Sequence, residues 1–340
     1  MSIMITGGAG YIGSHCCVTF LEAGHDVVVL DNLSNASPES LDRVSRITGA
    51  KVSFVEGDIR DGSRVADALK AHGCTAVVHF AGLKVVGDSL NDPLGYYDVN
   101  VTGTLALVAA MKACDVHTLI FSSSANVYGN PEELPLKESH RIAPMSPYGE
   151  TKHVVEQILG DLVVSDPRWQ VAALRYFNPV GAHETGMIGE NPLGTPTNLM
   201  PIITQVATGV RPALQVFGSD YDTPDGTGIR DFIHVMDLAE GHLAAYRHLV
   251  SREEGEGLVI ANLGTGRGYS VLELVRAFEH VSNRSIPLEM APRRAGDIEI
   301  SYADPTYARQ VLGWSAQRDL TAMCHDTWNW VCKNPKGFAA

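Results

Sequence analysis

The sequence predicts an α/β fold, a doubly wound parallel sheet followed by a smaller mixed α/β region at the C-terminal end. Short apolar segments alternate with helix-length amphipathic segments through the first half of the 340-residue chain. This alternation is typical of parallel strands with helices on both faces. Segments such as 76–78 (Ala-Val-Val) are apolar without alternation, as expected of strands covered on both sides. A chain of this length can bury a sizeable core without a disulfide or a metal.

The predicted elements follow in a regular order. Strands are expected at 3–6, 26–30, 52–56, 76–80, 118–122 and 171–176, with a helix through residue 21 after the first. Between 178 and 228 Gly, Pro and Asn are frequent, and one helix pattern stands out at 199–209. A strand and a helix are expected within 231–249, and an amphipathic helix at 271–281. We therefore expect a first domain at 1–177, joined again by 231–262, and a substrate-binding domain at 178–340.

The charge balance restricts the class of partner. The chain has 26 Lys and Arg against 39 Asp and Glu, a formal net charge of -13. Such a surface repels nucleic-acid backbones and anionic lipids, so neither nucleic acid nor a membrane is expected as a partner. Small phosphate ligands can still be held by local groups. For them the sequence predicts a small electropositive pocket in an otherwise negative molecule.

The cysteines indicate a reducing compartment. Six cysteines in 340 residues are too few for a disulfide scaffold, and no C-x-x-C pair or suitably spaced His completes a zinc site. No metal is therefore expected. The N-terminus lacks a basic segment, and no apolar run approaches the roughly 18 residues of a membrane span. These features predict a cytoplasmic protein.

A glycine-rich turn follows the first predicted strand. It fits G-x-G-x-x-G through Gly8, Gly10 and Gly13, and a longer form of the motif through Gly7. Glycines here let backbone N–H groups approach a pyrophosphate at a helix N-terminus. Asp31 ends the next strand, 18 residues past Gly13, where a carboxylate binds ribose hydroxyls and repels a 2′-phosphate. The pattern predicts a Rossmann-type domain that binds NAD, the alternative being a structural turn beside a solvated Asp.

Two later segments extend the predicted cofactor site. Asp58, within 57–61, closes the third strand, where its side chain could meet the adenine amine. Phe80, Ala81 and Gly82 close the fourth strand and are small enough for the cofactor to lie across the strand ends. Ordinary loop chemistry is the alternative for both.

A catalytic group is predicted from Ser124, Tyr148 and Lys152. Ser124 follows the fifth strand, and Tyr148 and Lys152 stand four residues apart, on one face of a helix. For the phenol to act as a base near neutrality, its pKa must fall by about three units. A cation about 4 Å away supplies that order of energy. Ser124 would bind the reacting hydroxyl. The alternative for Tyr-x-x-x-Lys alone is a solvated helix face.

At these residues the sequence resembles the extended short-chain dehydrogenase/reductases and, within them, the UDP-glucose 4-epimerases, over essentially the whole chain. The runs that carry the resemblance are 7–14, 30–33, 55–60, 79–84, 121–129, 146–149, 174–183, 198–201 and 225–238. The resemblance implies a retained NAD. It also implies that Tyr148 deprotonates the sugar 4-hydroxyl while hydride leaves C4, and that the 4-keto sugar turns before the hydride returns. UDP-glucose and UDP-galactose are the implied substrates.

The resemblance also implies which residues bind the two ligands. Those implied for NAD are Gly7, Gly10, Tyr11, Ile12, Gly13, Asp31, Asn32, Asn35, Asp58, Ile59, Phe80, Ala81, Gly82, Lys84, Ser124, Tyr148, Lys152 and Phe177. Those implied for the UDP-sugar are Ser124, Tyr148, Asn178, Asn198, Leu199, Phe217, Arg230, Arg294, Asp297 and Ser301. A homodimer through helices near 93–113 and 147–162 is implied as well.

Departures from the family pattern bear on specificity. Ala125 and Asn126 stand where related 4,6-dehydratases carry Asp and Glu, which argues against removal of water. Asn126, Val99 and Phe232 differ from residues of some epimerases. Ser301 stands where a bulky Tyr restricts the sugar pocket, so activity on UDP-GlcNAc and UDP-GalNAc is also expected, unless the alignment is one residue off.

Three other functions fit parts of the pattern. They are a 4-epimerase of UDP-glucuronate or UDP-xylose, a net NAD-dependent oxidoreductase, and a redox-sensing binding protein that has lost its chemistry. Proteins of the last class typically lose the Tyr or the Lys, and this chain has both Tyr148 and Lys152.

Overall fold

The computed structural model describes residues 1–252, 257–294 and 296–339. The strands are β1 (Ser2–Thr6), β2 (Asp26–Asp31), β3 (Ser53–Glu56), β4 (Cys74–His79), β5 (Thr118–Ser124), β6 (Gln170–Tyr176), β7 (Asn178–Val180), β8 (Leu214–Phe217), β9 (Ile229–Arg230), β10 (Phe232–His234), β11 (Leu258–Leu263), β12 (Tyr269–Ser270), β13 (Leu288–Ala291) and β14 (Ile300–Ser301). The α-helices are α1 (Tyr11–Glu22), α2 (Glu39–Thr48), α3 (Gly62–Ala71), α4 (Val86–Asn91), α5 (Pro93–Tyr97), α6 (Gly103–Ala113), α7 (Pro147–Ser165), α8 (Leu199–Ala207), α9 (Val235–Ser251), α10 (Val271–Ser282), α11 (Thr306–Leu312) and α12 (Leu320–Lys333).

Seven parallel strands form the central sheet, in the order β11-β6-β5-β4-β1-β2-β3. The chain leaves β1 toward β2 and β3 on one side and continues from β4 on the other. This reversal between β1 and β4 opens a crevice at the carboxyl ends of the two strands, where sheets of this kind bind ligands. The predicted fold class, a Rossmann-type doubly wound sheet, is confirmed.

Both faces of the sheet are covered, which explains the unbroken apolar strands. In β1, Ile3 and Ile5 pack on the face that carries α1 and α9, whereas Met4 packs on the face that carries α6 and α7. All three side chains are fully buried. Each face therefore buries one half of an apolar strand, and the strand needs no polar alternation.

The residues after 177 build a smaller mixed region around a second core. Two-stranded and three-stranded sheets, β10-β7, β13-β8 and β12-β9-β14, lie beside α8, α10 and α12. The chain returns to the central sheet later than the expected residue 231: β10 (Phe232–His234) still pairs with β7, whereas α9 packs against α1 and β11 pairs along its length with β6.

The helix expected near 93–113 is interrupted. After α5 the chain makes a π-helical turn over Asp98–Thr102 and then continues as α6. A wide turn of this type often marks a functional site.

The described ranges contain neither a candidate membrane-spanning helix nor a candidate metal-binding cluster. Within them, no helix combines the length and the apolar character that crossing a membrane requires. The same ranges hold no cluster of three or more His, Cys, Asp or Glu side chains placed to bind a metal ion.

Candidate active site

The glycine-rich turn is a place where side chains do not fit. Gly7 has φ +69°, and a Cβ there would lie 2.7 Å from the backbone N of Ala81. A Cβ on Gly13 would lie 2.3 Å from the carbonyl O of Gly7. Gly10 is the N-cap of α1 and supplies no side-chain cap, so backbone N–H groups of the first turn stay available to an anion. This cradle fits the pyrophosphate of a dinucleotide.

Asp31 lies at the end of β2 beside this turn, where the sequence predicts contact with the adenosine ribose. Its carboxylate accepts hydrogen bonds from the backbone N–H of Ala9 (3.0 Å) and of Leu33 (2.8 Å). Burial raises the pKa of Asp31, and the two hydrogen bonds oppose that shift. The bond to Ala9 ties the end of β2 to the glycine turn, so a ribose bound by Asp31 and a pyrophosphate bound by the turn would share one rigid frame.

Four further predicted cofactor residues border this frame. Asn32 donates to the carboxylate of Asp58 (3.1 Å), and Arg60 holds the pKa of Asp58 well below its usual range through hydrogen bonds and charge. The side chain of Ile59 is buried in the core, so its backbone is what a ligand could reach. Asn35 accepts from the backbone N–H of Leu193 (3.2 Å), which brings the second region to this side.

Tyr11 and Ile12 begin α1. The Tyr11 hydroxyl donates to the carbonyl of Gly181 (2.7 Å), just beyond β7, and Ile12 is half-buried against the core. The side chain of Tyr11 thus joins the two regions, and the ligand contact predicted for it falls to its backbone.

The loop after β4 forms the other wall of the crevice. The backbone N–H groups of Phe80 and Ala81 both donate to the carbonyl of Thr6, which holds this loop against the glycine turn. Gly82 is required to be small, because a Cβ there would lie 2.9 Å from Oδ1 of Asn100. Lys84 lies at the end of the loop, with Nζ 3.6 Å from Oε1 of Glu190.

The predicted catalytic residues converge at the carboxyl end of β5. Ser124 is the last residue of β5, and Tyr148 and Lys152 lie one turn apart on α7. Helix α7 starts there because Ser146 caps the N–H of Gly149 (3.2 Å) and Pro147 takes the first helical position. All three side chains are buried.

The pKa of Tyr148 is shifted in the direction opposite to the one expected from the sequence. Burial raises the pKa of Tyr148, and its hydrogen bond with Ser124 opposes that shift only in part. Lys152 donates to the carbonyl O of Ser122 (2.7 Å), and its Nζ lies 5.9 Å from the centre of the Tyr148 ring. Among the described protein groups, desolvation therefore dominates the pKa of the phenol, and the lowering expected from Lys152 does not occur.

Asn126 has a defined contact. Its side-chain N–H donates to Oγ of Ser124 (3.0 Å), and its backbone N–H donates to the same atom (3.2 Å). Two donors on Ser124 leave its own hydroxyl proton free to point at the phenol or at a bound sugar. Residue 126 therefore orients Ser124.

Asn100 is a site residue that the sequence analysis missed. Its amide oxygen accepts from the N–H of Leu83 (2.8 Å), and its NH₂ donates to the carbonyl of Leu83 (3.0 Å) and to Oγ1 of Thr151 (3.0 Å). It stands in the π-helical turn and so joins the loop after β4 to α7. A buried polar residue inside the apolar stretch 99–111 was the available signal.

Phe177 and Asn178 lie directly beyond β6. Phe177 is buried among Val127, Leu136 and Ala303, and its N–H donates to the carbonyl of Leu263 (3.2 Å). Asn178 is exposed and begins β7. The pair marks where the chain crosses from the central sheet into the second region.

The predicted UDP-binding residues form a separate basic and aromatic group. The Arg294 guanidinium lies over the ring of Phe217 (4.7 Å) and forms an ion pair with Asp297 (2.9 Å). Arg230 is partly buried; burial lowers its pKa and the charge of Asp297 raises it. Ser301, also buried, pairs in register with Arg230 across β14 and β9. Aromatic, cationic and acidic groups at one place suit a nucleoside diphosphate.

Asn198 and Leu199 complete the set. Asn198 is the N-cap of α8 and Leu199 its first residue. The Asn198 amide donates to Oε1 of Glu190 (2.6 Å), the same oxygen that faces Lys84. Glu190 therefore connects a predicted cofactor residue to a predicted substrate residue.

These features define a class of protein. A glycine cradle with a strand-end carboxylate, beside a buried Tyr, Lys and Ser, belongs to an enzyme that transfers a hydride with a bound dinucleotide while a phenol handles the proton.

The comparisons identify the family. The profile of the "NAD dependent epimerase/dehydratase family" matches residues 3–264. The chain is 54% identical to a UDP-glucose 4-epimerase of Pasteurella multocida and 52% identical to one of Bacillus subtilis, with 99% of each chain covered in both cases. This chain belongs to the NAD dependent epimerase/dehydratase family. The predicted resemblance, and NAD as the cofactor, are confirmed.

Solved structures agree. A UDP-glucose-4-epimerase of Stenotrophomonas maltophila with bound NAD and formylated UDP-arabinopyranose is 50% identical, with a TM-score of 0.95 and 99% of each chain covered. A UDP-glucose 4-epimerase of Bifidobacterium longum in complex with NAD+ and UDP is 47% identical, also with a TM-score of 0.95, covering 99% of this chain and 100% of that one.

Proposed function

We propose that this chain is an NAD-dependent UDP-glucose 4-epimerase, an isomerase that interconverts UDP-glucose and UDP-galactose. The observation that carries the proposal is the convergence of Ser124, Tyr148 and Lys152 at the carboxyl end of β5, in a chain more than 50% identical to such epimerases of two bacteria. NAD, when bound, accepts a hydride and returns it in the same cycle, so no net oxidation occurs.

The residues that would hold NAD are those of the crevice between β1 and β4. The glycine turn takes the pyrophosphate, Asp31 the adenosine ribose, and the loop after β4 the far end of the cofactor. The carboxylate of Asp31 disfavours a 2′-phosphate.

The protein groups move the proton. Tyr148 takes the proton of the sugar 4-hydroxyl, and Ser124, oriented by Asn126, hydrogen-bonds that hydroxyl. Because burial alone raises the pKa of Tyr148, the phenol becomes an effective base only when positive charge is added to the site. Lys152 already lies in the site, with Nζ 5.9 Å from the centre of the Tyr148 ring, and does not offset this rise, so the further charge would have to come from the positive nicotinamide of bound NAD. Proton removal by Tyr148 would then depend on NAD being bound in its oxidised form.

Substrate is held at its nucleotide end. Phe217 would stack on uracil, and Arg230 and Arg294 would bind the diphosphate, with Asp297 and Asn198 beside them. A sugar that must present both faces to the cofactor cannot itself be tightly held. Remote binding energy therefore belongs on UDP. Dehydration is disfavoured, because Ala125 and Asn126 offer no acid.

The test is incubation of the purified protein with UDP-galactose, without added NAD, followed by chromatographic separation of the nucleotide sugars. UDP-glucose should form without net NADH. Turnover of UDP-glucuronate or UDP-xylose but not of UDP-galactose would establish the alternative 4-epimerases, and net NADH would establish an oxidoreductase. A chain that binds NAD but converts none of these sugars would be the redox-sensing protein.

Ser301 supports a second substrate pair, UDP-GlcNAc and UDP-GalNAc. It is a small, buried residue in register with Arg230, and a tyrosine in its place would add a bulky ring next to this arginine. Turnover of UDP-GlcNAc below about a thousandth of the UDP-glucose rate would contradict this. Ser301→Tyr should abolish the activity on N-acetylated sugars and keep that on UDP-galactose.

Assembly, location and domain division are further parts of the proposal. A homodimer through 93–113 and 147–162 is supported by the exposed apolar side chains of Leu94 and Leu105 in the first of these segments, and sizing chromatography tests it. The cytoplasm is proposed from the sparse, free cysteines. A first domain at 1–177 with 231–262 and a second at 178–340 is supported by the pairing of β11 with β6.

A further inference from the structure

A buried ion pair lies one helical turn beyond the catalytic lysine. Glu156 follows Lys152 by four residues on α7, and Arg175 is the penultimate residue of β6. Arg175 binds Glu156 with two parallel hydrogen bonds, Nη2 to Oε2 at 2.7 Å and Nε to Oε1 at 2.9 Å. Both side chains are only 4% exposed.

The pair has further partners on every side. Oγ of Ser123 donates to Oε1 of Glu156 (2.5 Å). Arg175 Nη1 donates to the Tyr128 hydroxyl (2.9 Å) and to the carbonyl of Glu138 (3.1 Å). The pair thus connects α7 to β5 and β6 and to the loop beyond β5.

Stability does not require such a pair. Burying two charges costs the free energy of their hydration, and their mutual attraction only roughly offsets this cost. Proteins in which apolar residues replace a buried ion pair are often as stable as the original or more stable. The pair contacts Ser123, the residue before Ser124, and lies one helical turn from Lys152. This position points to a role in the reaction.

We infer that Glu156 and Arg175 are positioning residues for the proposed epimerisation: they fix α7 against β5 and β6, and they place the Glu156 carboxylate one helical turn from the buried Lys152. This role rests on the proposed function. Tyr148, Lys152 and Glu156 occupy positions i, i+4 and i+8 and therefore share one face of α7. Ser123, held by Glu156, sets the end of β5 from which Ser124 reaches the site.

The charges around Lys152 make the carboxylate important. Burial lowers the pKa of Lys152 to about 8, and the charge of Glu156 opposes that shift. The other titratable groups near Lys152 and the ion pair are His79 on β4, whose pKa burial lowers to about 3, Tyr148 on α7, whose pKa burial raises, and Tyr128 beyond β5, whose pKa burial raises to about 12. All three are neutral near pH 8, and Arg175 is a cation. Among these groups Glu156 alone favours the ammonium.

The test is the pH profile of kcat for Glu156→Gln, which removes the charge and keeps the shape. Without the carboxylate Lys152 loses its proton at lower pH, so the alkaline limb of kcat should move down by about one pH unit, close to a tenfold loss of activity at alkaline pH. At pH 6.5 the loss should be much smaller. UDP affinity, measured by calorimetry, should not change.

Two further variants separate this role from a structural one. Asp237→Asn is the matched control, because Asp237 is fully buried on α9 and pairs with Arg318; it should lower the melting temperature without moving the pH profile. Glu156→Gln combined with Arg175→Met leaves no lone buried cation and should move the alkaline limb in the same direction but less. If Glu156→Gln alone does not fold, the pH profile of the double variant tests the inference.

Profiles that superimpose on wild type in both Glu156 variants would overturn the inference, whatever the melting temperatures. A wild-type protein that fails to convert UDP-galactose would instead refute the proposed function. An active wild type with unshifted variants would refute only the positioning role.

Discussion

Gly7 and Gly24 offer a matched pair of substitutions at the two ends of one helix. Both have left-handed backbones, with φ of +69° and +83°, but a Cβ at Gly24 meets nothing within 4 Å, whereas one at Gly7 would lie 2.7 Å from N and 2.9 Å from Cα of Ala81. Alanine at either position is strained by about 1 kcal/mol. At Gly7 the clash with backbone adds about 1–3 kcal/mol, and its relief moves the loop after β4.

Gly24→Ala should therefore lower the free energy of unfolding by about 1 kcal/mol and keep its NAD. Gly7→Ala should lower it by about 2–4 kcal/mol and lose NAD. Urea unfolding measures the first quantity, and the dinucleotide released on heating, per mole of protein, measures the second. The reasoning is refuted by a Gly7→Ala protein that matches Gly24→Ala in both stability and NAD content.

Three other substitutions test separate parts of the site. Tyr148→Phe should lower kcat by about 10²–10⁴-fold with UDP affinity unchanged in calorimetry; retained activity would show that Tyr148 is not the base. Asp31→Asn should raise the share of NADP among dinucleotides released from the protein, measured by mass spectrometry, because the charge that repels a 2′-phosphate is gone; an unaltered share would contradict the assigned role. Asp231→Asn should lower the free energy of unfolding by about 2–4 kcal/mol, because this buried carboxylate accepts hydrogen bonds from Thr265, Gly266 and Ala303. Because these bonds fix the strand that carries Arg230, the variant should also raise KM for UDP-galactose. Steady-state kinetics with an unchanged KM would contradict that link.

Much of the fold follows from local pattern. The six strands predicted in the first half all occur, with ends shifted by no more than two residues, because each is a short apolar run bounded by polar or glycine-rich turns. The cofactor turn was visible for the same reason. The end of β1, the glycines of the turn and the start of α1 all lie within a dozen residues.

The rest depends on contacts between distant parts of the chain. Asn100 acts through Leu83 and Thr151, which no spacing rule brings together. The π-helical turn that carries it lies in a sequence with ordinary helix-forming character, so the tertiary contacts decide its shape. The pKa of Tyr148 depends on nearby charges, which the sequence shows, and on the depth of burial, which it does not.

The pairing of β11 with β6 has a consequence for how the chain reaches its native state. Residues 171–174 on β6 are fully buried, and their outer edge is satisfied by a strand that is synthesised some 80 residues later. A nascent or truncated chain ending near 177 exposes an apolar, unpaired edge, which is a template for aggregation. Contacts of such long sequence separation also slow folding. The central sheet is therefore complete only after the ribosome has made residues 178–263, and we expect fragments that stop short of residue 263 to be insoluble.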